Sequence, residues 1–136
     1  MTTVQWKCGM AFDGLMTTGH VVPMDAAADH GGQNAGARPT ELLLAALGGC
    51  TGMDVVSILD KKRQHPEALR MEIEGDRRDG HPRAYTAIRI KFILKGRDLT
   101  DEAVARAVEL SREKYCSVAA TLGGAAAISW TYEIER

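Results

Sequence analysis

The sequence predicts an α+β fold with the element order βββ-α-ββ-αα-β, and three observations predict it. Apolar residues alternate with polar ones at period two near the start, in the middle and at the end of the chain, the pattern of strands with one buried face. A stretch from Pro39 to Gln64 contains a run that is apolar or small nearly all round, as a helix buried on every side is. Strands and helices come in blocks, which argues for α+β and against a parallel α/β sheet.

The elements follow in order. Val4, Trp6 and Cys8 alternate with Gln5 and Lys7, so a short half-buried strand is expected with Cys8 in its core face. Asp13-Gly14 is turn chemistry, and two further short strands are expected around Leu15–Thr18 and His20–Met24. The segment 25–37 is small, polar and glycine-rich and reads as a mobile loop. Pro39 suits the first position of a helix, and Glu41 places a carboxylate in its first turn, where the dipole favours it.

The run Leu42–Met53 is too short to span a bilayer and is closely followed by Asp54. Gly48, Gly49 and Gly52 each weaken a helix by about 1 kcal/mol relative to Ala, so another backbone is expected to pass close to them. Pro66 stops the helix.

Leu69, Met71 and Ile73 alternate with charged neighbours, as do Ile88, Ile90, Phe92 and Leu94 with theirs apart from Ile93. An antiparallel pair is expected across the loop that holds Asp79-Gly80. Thr100 is an N-cap residue, with Leu99 and Val104 as the hydrophobic staple of the helix that follows. Val104, Ala107, Val108, Ser111 and Tyr115 share one face of that helix. Ser117–Ala127 has the composition of a second short helix, and Ile128 to Ile134 alternates as a closing strand.

Length and composition bound the function. The chain has 136 residues, which is one domain, 1–136, and enough to bury a sizeable core. Lys plus Arg number 17 and Asp plus Glu 18, a net charge of −1 that argues against a nucleic-acid or anionic-membrane partner. Aromatic residues make up 5%, too few for a base-stacking platform. No basic-then-apolar leader opens the chain, so a cytoplasmic location is expected. There, three cysteines, Cys8, Cys50 and Cys116, do not make a disulfide scaffold, and thiols stay reduced unless their work is redox chemistry.

The four histidines stand alone, and neither Cys-x-x-Cys nor His-x-x-x-His spacing occurs, so no zinc site is expected. No dinucleotide or phosphate-loop fingerprint is present either, so no cofactor is expected.

Cys50 and Cys116 each lie at a point where two helices could meet. A buried cysteine serves as an inert small hydrophobe or, given a thiolate, as a nucleophile. Cys116 stands at a helix start with Lys114 nearby, an arrangement that lowers a thiol pKa. Cys50 is mid-helix and needs a cation from elsewhere, for which Arg38 is one candidate. Asp54 lies at i+4 from Cys50 on the same helix face, where a carboxylate raises a thiol pKa unless a cation intervenes; it is placed either to accept a hydrogen bond from substrate, or to cap or to pair with a Lys or Arg in the interface.

Arg-Pro-Thr-Glu-Leu-Leu-Leu-Ala-Ala-Leu-Gly-Gly-Cys (38–50), continued by Thr-Gly-Met-Asp-Val-Val-Ser-Ile-Leu (51–59), resembles the central helix of the OsmC/Ohr family. Glu-Lys-Tyr-Cys-Ser-Val-Ala-Ala-Thr-Leu (113–122) is similar to that family's second cysteine motif. Gly-His (19–20), Met-Asp (24–25) and Gly-Arg-Asp-Leu (96–99) are shared with its YhfA-like branch, and the likeness covers essentially the whole chain.

The resemblance implies an intertwined homodimer whose two central helices cross in the core, with active sites at the subunit interface. It implies a thiol-dependent hydroperoxide reductase of oxidative-stress defence. Cys50 would attack an organic hydroperoxide, Cys116 would resolve the sulfenic acid as a disulfide, and a dithiol would reduce that disulfide. The chain departs from the peroxidase branches at two points. Thr40 stands where they carry a catalytic Glu, with Glu41 shifted by about 100° around the helix, and no Arg precedes Arg38. The alternative is a non-peroxidase thiol module that binds a small apolar or sulfur-containing ligand at the dimer interface.

Overall fold

The computed structural model describes every residue from Met1 to Arg136. The chain divides into two compact units, Met1–Leu43 and Leu44–Arg136. The first holds an antiparallel meander of β1 (Thr3–Cys8), β2 (Ala11–Leu15) and β3 (Val21–Met24). The Asp13-Gly14 pair lies inside β2 rather than in a turn, and the tight turn falls at Gly9-Met10. Gly9 takes a positive φ of 54° and accepts a hydrogen bond from Trp6 Nε1.

Alternation in β1 predicts a buried face, but the whole strand is exposed, with Val4 at 58% and Trp6 at 62%. Cys8 is exposed too and is not a core residue. Period-two patterning shows that one face is apolar, not that it is covered.

The glycine-rich loop is not loose. Asp25 is buried, and its carboxylate accepts from the backbone N–H groups of Ala26, Gln33 and Ala35 at 2.7, 3.1 and 3.1 Å. The Ala35 and Gln33 amides, foremost, hold its acid below the usual carboxylate value, against the opposing effect of burial. A Cβ at Gly32 would lie 2.0 Å from the Ala26 carbonyl oxygen, so the glycines here permit backbone to pack on backbone.

α1 (Pro39–Lys61) starts as expected, with Pro39 at the first helical position and Glu41 Oε1 accepting from the Arg38 N–H at 2.9 Å. This is one half of a capping box. It ends before the predicted Gln64, where Arg63 takes a left-handed φ of 58° and the Gln64 amide bonds back to Leu59 O. At 23 residues α1 is long and apolar enough, by length and composition alone, to cross a bilayer. It packs instead as a core helix along a single face, formed by Leu47, Gly48, Thr51, Gly52, Val55 and Leu59. The opposite side is bare, with Met53 at 76% exposure, so the helix is not buried all round.

Side chains, and not another backbone, approach two of the glycines: a Cβ at Gly48 would sit 2.7 Å from Ile73 Cδ1 and one at Gly52 2.6 Å from Met71 Cε. Gly49 faces open space.

The second unit continues with β4 (Ala68–Arg77) and β5 (Tyr85–Lys95), the predicted antiparallel pair, in which Met71 faces Phe92 and Ile73 faces Ile90. α2 (Asp101–Leu110) begins at Thr100, whose hydroxyl accepts from Ala103 N–H at 3.2 Å, while the Gln64 side chain holds the Thr100 amide at 2.9 Å. A π-helical turn, Ser111–Tyr115, and α3 (Ser117–Leu122) lead to β6 (Ala127–Glu135). β6 pairs with β5 in parallel, so the helical segment is a crossover and β5 is the central strand of the sheet β4-β5-β6. Its Ile88, Ile90, Phe92 and Leu94 join Leu47, Val55 and Leu59 of α1 and Leu99, Val104 and Val108 around α2 in one core. Phe92 and Trp130 stack there with ring centroids 6.1 Å apart.

Candidate active site

Three side chains of the second unit converge. Cys50 Sγ, a carboxylate oxygen of Asp54 and Cys116 Sγ all lie within 4.8 Å of one another. Cys50 and Asp54 come from successive turns of α1, at i and i+4, beside the buried face. Cys116 comes from the junction of the π turn and α3. Its N–H reaches back five residues to Ser111 O at 2.9 Å, the bond that closes the wide turn. All three cysteines are free thiols; Cys116 is buried at 4% exposure and Cys50 is partly exposed.

A polar chain fixes the carboxylate. Ser111 Oγ donates to Asp54 Oδ2 at 2.8 Å, and with that proton committed the Thr51 hydroxyl donates to Ser111 Oγ at 2.6 Å. Thr51 and Ser111 are fully buried. Within the single chain Asp54 is in no ion pair. A cavity of about 330 Å³, lined by Asp54, Ser57, Ile58, Leu110 and Tyr115 among others, opens at the carboxylate.

Cys116 caps α3, its sulfur accepting from Ala119 N–H at 3.4 Å. A helix start was expected to lower its pKa. Burial does the opposite and pushes the thiol up to about 11, the Ala119 amide opposing, with Cys50 and the Asp54 charge raising it further. Lys114 gives no help, since its ammonium lies 5.2 Å over the Tyr115 ring.

Arg38 and Glu41 belong to the first unit and are engaged there. Arg38 Nη1 donates to the carbonyl of Gly36 at 3.1 Å and, more distantly, to that of Asp25 at 3.5 Å, while Glu41 caps α1. Thr51 and Ser111 are site neighbours that sequence reasoning does not single out. The signal was present: Ser111 is a polar residue on an otherwise apolar helix face, and a buried hydroxyl requires a partner.

The family profile described as OsmC-like protein matches residues 31–131. The chain belongs to the OsmC-like family. Among its OsmC-like relatives, Protein YhfA of Escherichia coli (strain K12) is 46% identical over 131 residues, 96% of this chain and 95% of that protein. The crystal structure of a hypothetical protein from Aquifex aeolicus VF5 superposes with a TM-score of 0.87 at 32% identity, covering 99% of this chain and 95% of that one. The organic hydroperoxide resistance protein OhrB of Bacillus subtilis shares the OsmC-like fold at a TM-score of 0.64 and 15% identity, with 98% of each chain covered.

Proposed function

We propose that the protein is a thiol-dependent reductase of organic hydroperoxides, acting in oxidative-stress defence in the cytoplasm. The observation that carries this reading is the approach of two free thiols, Cys50 and Cys116, from separate elements beside one carboxylate. The Cys50 thiolate attacks the O–O bond, forming a sulfenic acid and an alkoxide that leaves as the alcohol after taking a proton from solvent. Cys116 sulfur then displaces water from that sulfenic acid, closing a disulfide and giving up its proton. A dithiol reduces the disulfide through a mixed disulfide. The high thiol pKa of Cys116 counts against it as the thiolate that attacks the peroxide, which leaves it the resolving role, and to resolve it must give up its proton.

Asp54, held by Ser111, stands ready to accept the proton that Cys116 releases. Arg38 and Glu41 act, in this reading, by shaping the loop and the start of α1.

The active form is proposed to be a homodimer. The bare apolar side of α1, with Met53 and Val56, and the exposed Val4 and Trp6 of β1 support that assembly.

The test is consumption of an organic hydroperoxide with a lipoyl or small dithiol reductant. Cys50→Ser abolishes it and Cys116→Ser slows it while sulfenic acid accumulates. Undiminished turnover in Cys50→Ser overturns the assignment. Absence of turnover in the wild-type chain, with tight retention of a small apolar ligand, favours a non-catalytic thiol module.

A further inference from the structure

We propose that the reduced site is also a binding site for a thiophilic divalent cation, Zn²⁺ above all, ligated by Cys50 Sγ, Cys116 Sγ and an Asp54 carboxylate oxygen. The fourth position stays open to water. The three ligand atoms already lie within 4.8 Å of one another. A tetrahedral zinc with Zn–S near 2.3 Å and Zn–O near 2.0–2.2 Å sets neighbouring ligands roughly 3.5–3.8 Å apart. Closing onto an ion therefore takes side-chain movements of about 1 Å or less.

The donor set selects the ion. Two thiolates favour zinc and other soft or borderline metals over Mg²⁺, Ca²⁺ and Mn²⁺, which prefer oxygen. Three protein ligands and one open position is the coordination of exchangeable, accessible zinc rather than of a closed structural centre. Sequence spacing argues against zinc only for ligands adjacent in the chain, whereas here the fold supplies them from α1 and from the start of α3.

The surroundings meet the further requirements of a metal site. Asp54 is in no ion pair and shares one oxygen with the Ser111 hydroxyl, so the carboxylate is oriented without being consumed. Thr51 in turn orients Ser111. Such outer-shell bonds hold a ligand in place and their loss weakens metal affinity about 10–100-fold. A cavity of about 330 Å³ borders the Asp54 ligand, with Lys61 and Lys62 also on its wall.

Metal and disulfide compete for the same sulfurs. Uptake of Zn²⁺ by the two thiols releases two protons. Oxidation of the loaded site by a hydroperoxide takes two electrons from the two thiolates and consumes two hydrogen ions from the solution, the same number that metal uptake released. It yields the Cys50–Cys116 disulfide, one alcohol, one water and free Zn²⁺. Zinc thus protects the reduced pair, and oxidation releases zinc. The inference shares its sulfurs with the proposed peroxidase reaction, but its test contains no peroxide.

The test is anaerobic titration of the fully reduced chain, free of thiol reductant, with Co²⁺ followed by Zn²⁺. One Co²⁺ per chain is expected, seen as a thiolate-to-cobalt absorption band that Zn²⁺ bleaches and that a large excess of Mg²⁺ leaves intact. Cys8→Ser retains the band. Cys50→Ser and Cys116→Ser lose it, Asp54→Asn weakens Co²⁺ binding at least about tenfold, and Ser111→Ala weakens it about 10–100-fold. Wild-type chain whose thiols have been alkylated or joined as a disulfide binds none, a control that needs no variant to fold. No band in the reduced wild type, a band that survives in Cys50→Ser, or unchanged affinity in Asp54→Asn overturns the site. Cobalt binding in a chain that consumes no hydroperoxide overturns only the peroxidase reading, and peroxidase turnover without cobalt binding overturns only this one.

Discussion

Ser111 Oγ donates to Asp54 Oδ2 at 2.8 Å, joining the end of α2 to the middle of α1. The bond sits at the buried edge of the thiol pair, and Thr51 completes it from the next turn of α1. One serine proton therefore sets both the orientation of the carboxylate and the docking of the two helical segments that carry Cys50 and Cys116.

Replacing that serine tests the link. Ser111→Ala leaves a buried Thr51 hydroxyl without its acceptor and Asp54 without its donor, so urea unfolding is expected to show a loss of about 1–3 kcal/mol. Adding Thr51→Val removes the orphaned hydroxyl as well, and the double variant is expected to be less destabilised than the two single losses summed. Strict additivity would show that the two hydroxyls do not interact.

The two thiols should differ in reactivity. Burial pushes the Cys116 thiol up to about 11, which leaves it little thiolate near neutral pH, and its sulfur is shielded from reagent while Cys50 is partly exposed. With iodoacetamide on the reduced native chain at neutral pH, peptide mass spectrometry is expected to find Cys50 alkylated well before Cys116. The reverse order would remove the assignment of Cys116 as the shielded partner.

Much of the frame was legible in the sequence, for reasons specific to each element. The β4–β5 pair announces itself because Met71 and Ile73 on one strand, and Phe92 and Ile90 on the other, keep period two through the register that joins them. Thr100 reads as a cap because its hydroxyl can serve a backbone N–H three residues on, as it does. The two cysteine motifs stand out as motifs, yet the cluster they form depends on contacts between α1 and the segment after α2, which no local period encodes. The π turn 111–115 has no Gly or Pro to mark it, although its wide bond to Cys116 is what turns that residue toward Asp54. β1 shows the opposite limit: alternation identifies an apolar face but not what covers it.

Asp25 is expected to govern the loop 25–37. Its carboxylate takes three backbone N–H groups, and Asn can offer only one acceptor oxygen while turning an amide N–H₂ toward the others. In Asp25→Asn the Gln33 and Ala35 amides should exchange hydrogen faster and the loop should be cut sooner by protease. Because the folded acid is held below its ordinary 3.8, the stability it contributes is present above that pH and lost as pH falls through the folded value. Loop protection in the wild type should fade on acidification accordingly. Equal exchange at both amides in wild type and variant would mean that the loop is held by its backbone bonds alone.

The Cys116 thiol makes the opposite prediction at high pH. Its value rises from 9.0 to about 11 on folding, which favours the neutral form in the folded chain. Below 9.0 both states keep the proton and the stability it provides is fully present. Between 9.0 and about 11 the unfolded chain gives the proton up while the folded chain retains it, so stability falls as pH rises through that window. Tyr132, raised by its hydrogen bond to Asp101, and Lys91, raised by its bond to Glu133, act in the same direction, so the wild-type slope alone does not isolate the thiol. The difference between wild type and Cys116→Ala does. Thermal unfolding of the reduced chains from about pH 8 to about pH 11 is expected to show a smaller loss of Tm in Cys116→Ala than in wild type, whatever the offset that the core substitution adds at neutral pH. Parallel curves would show that the buried thiol ionises as readily in the folded chain as in the unfolded one, and the argument for a protonated resolving cysteine would fall with that result.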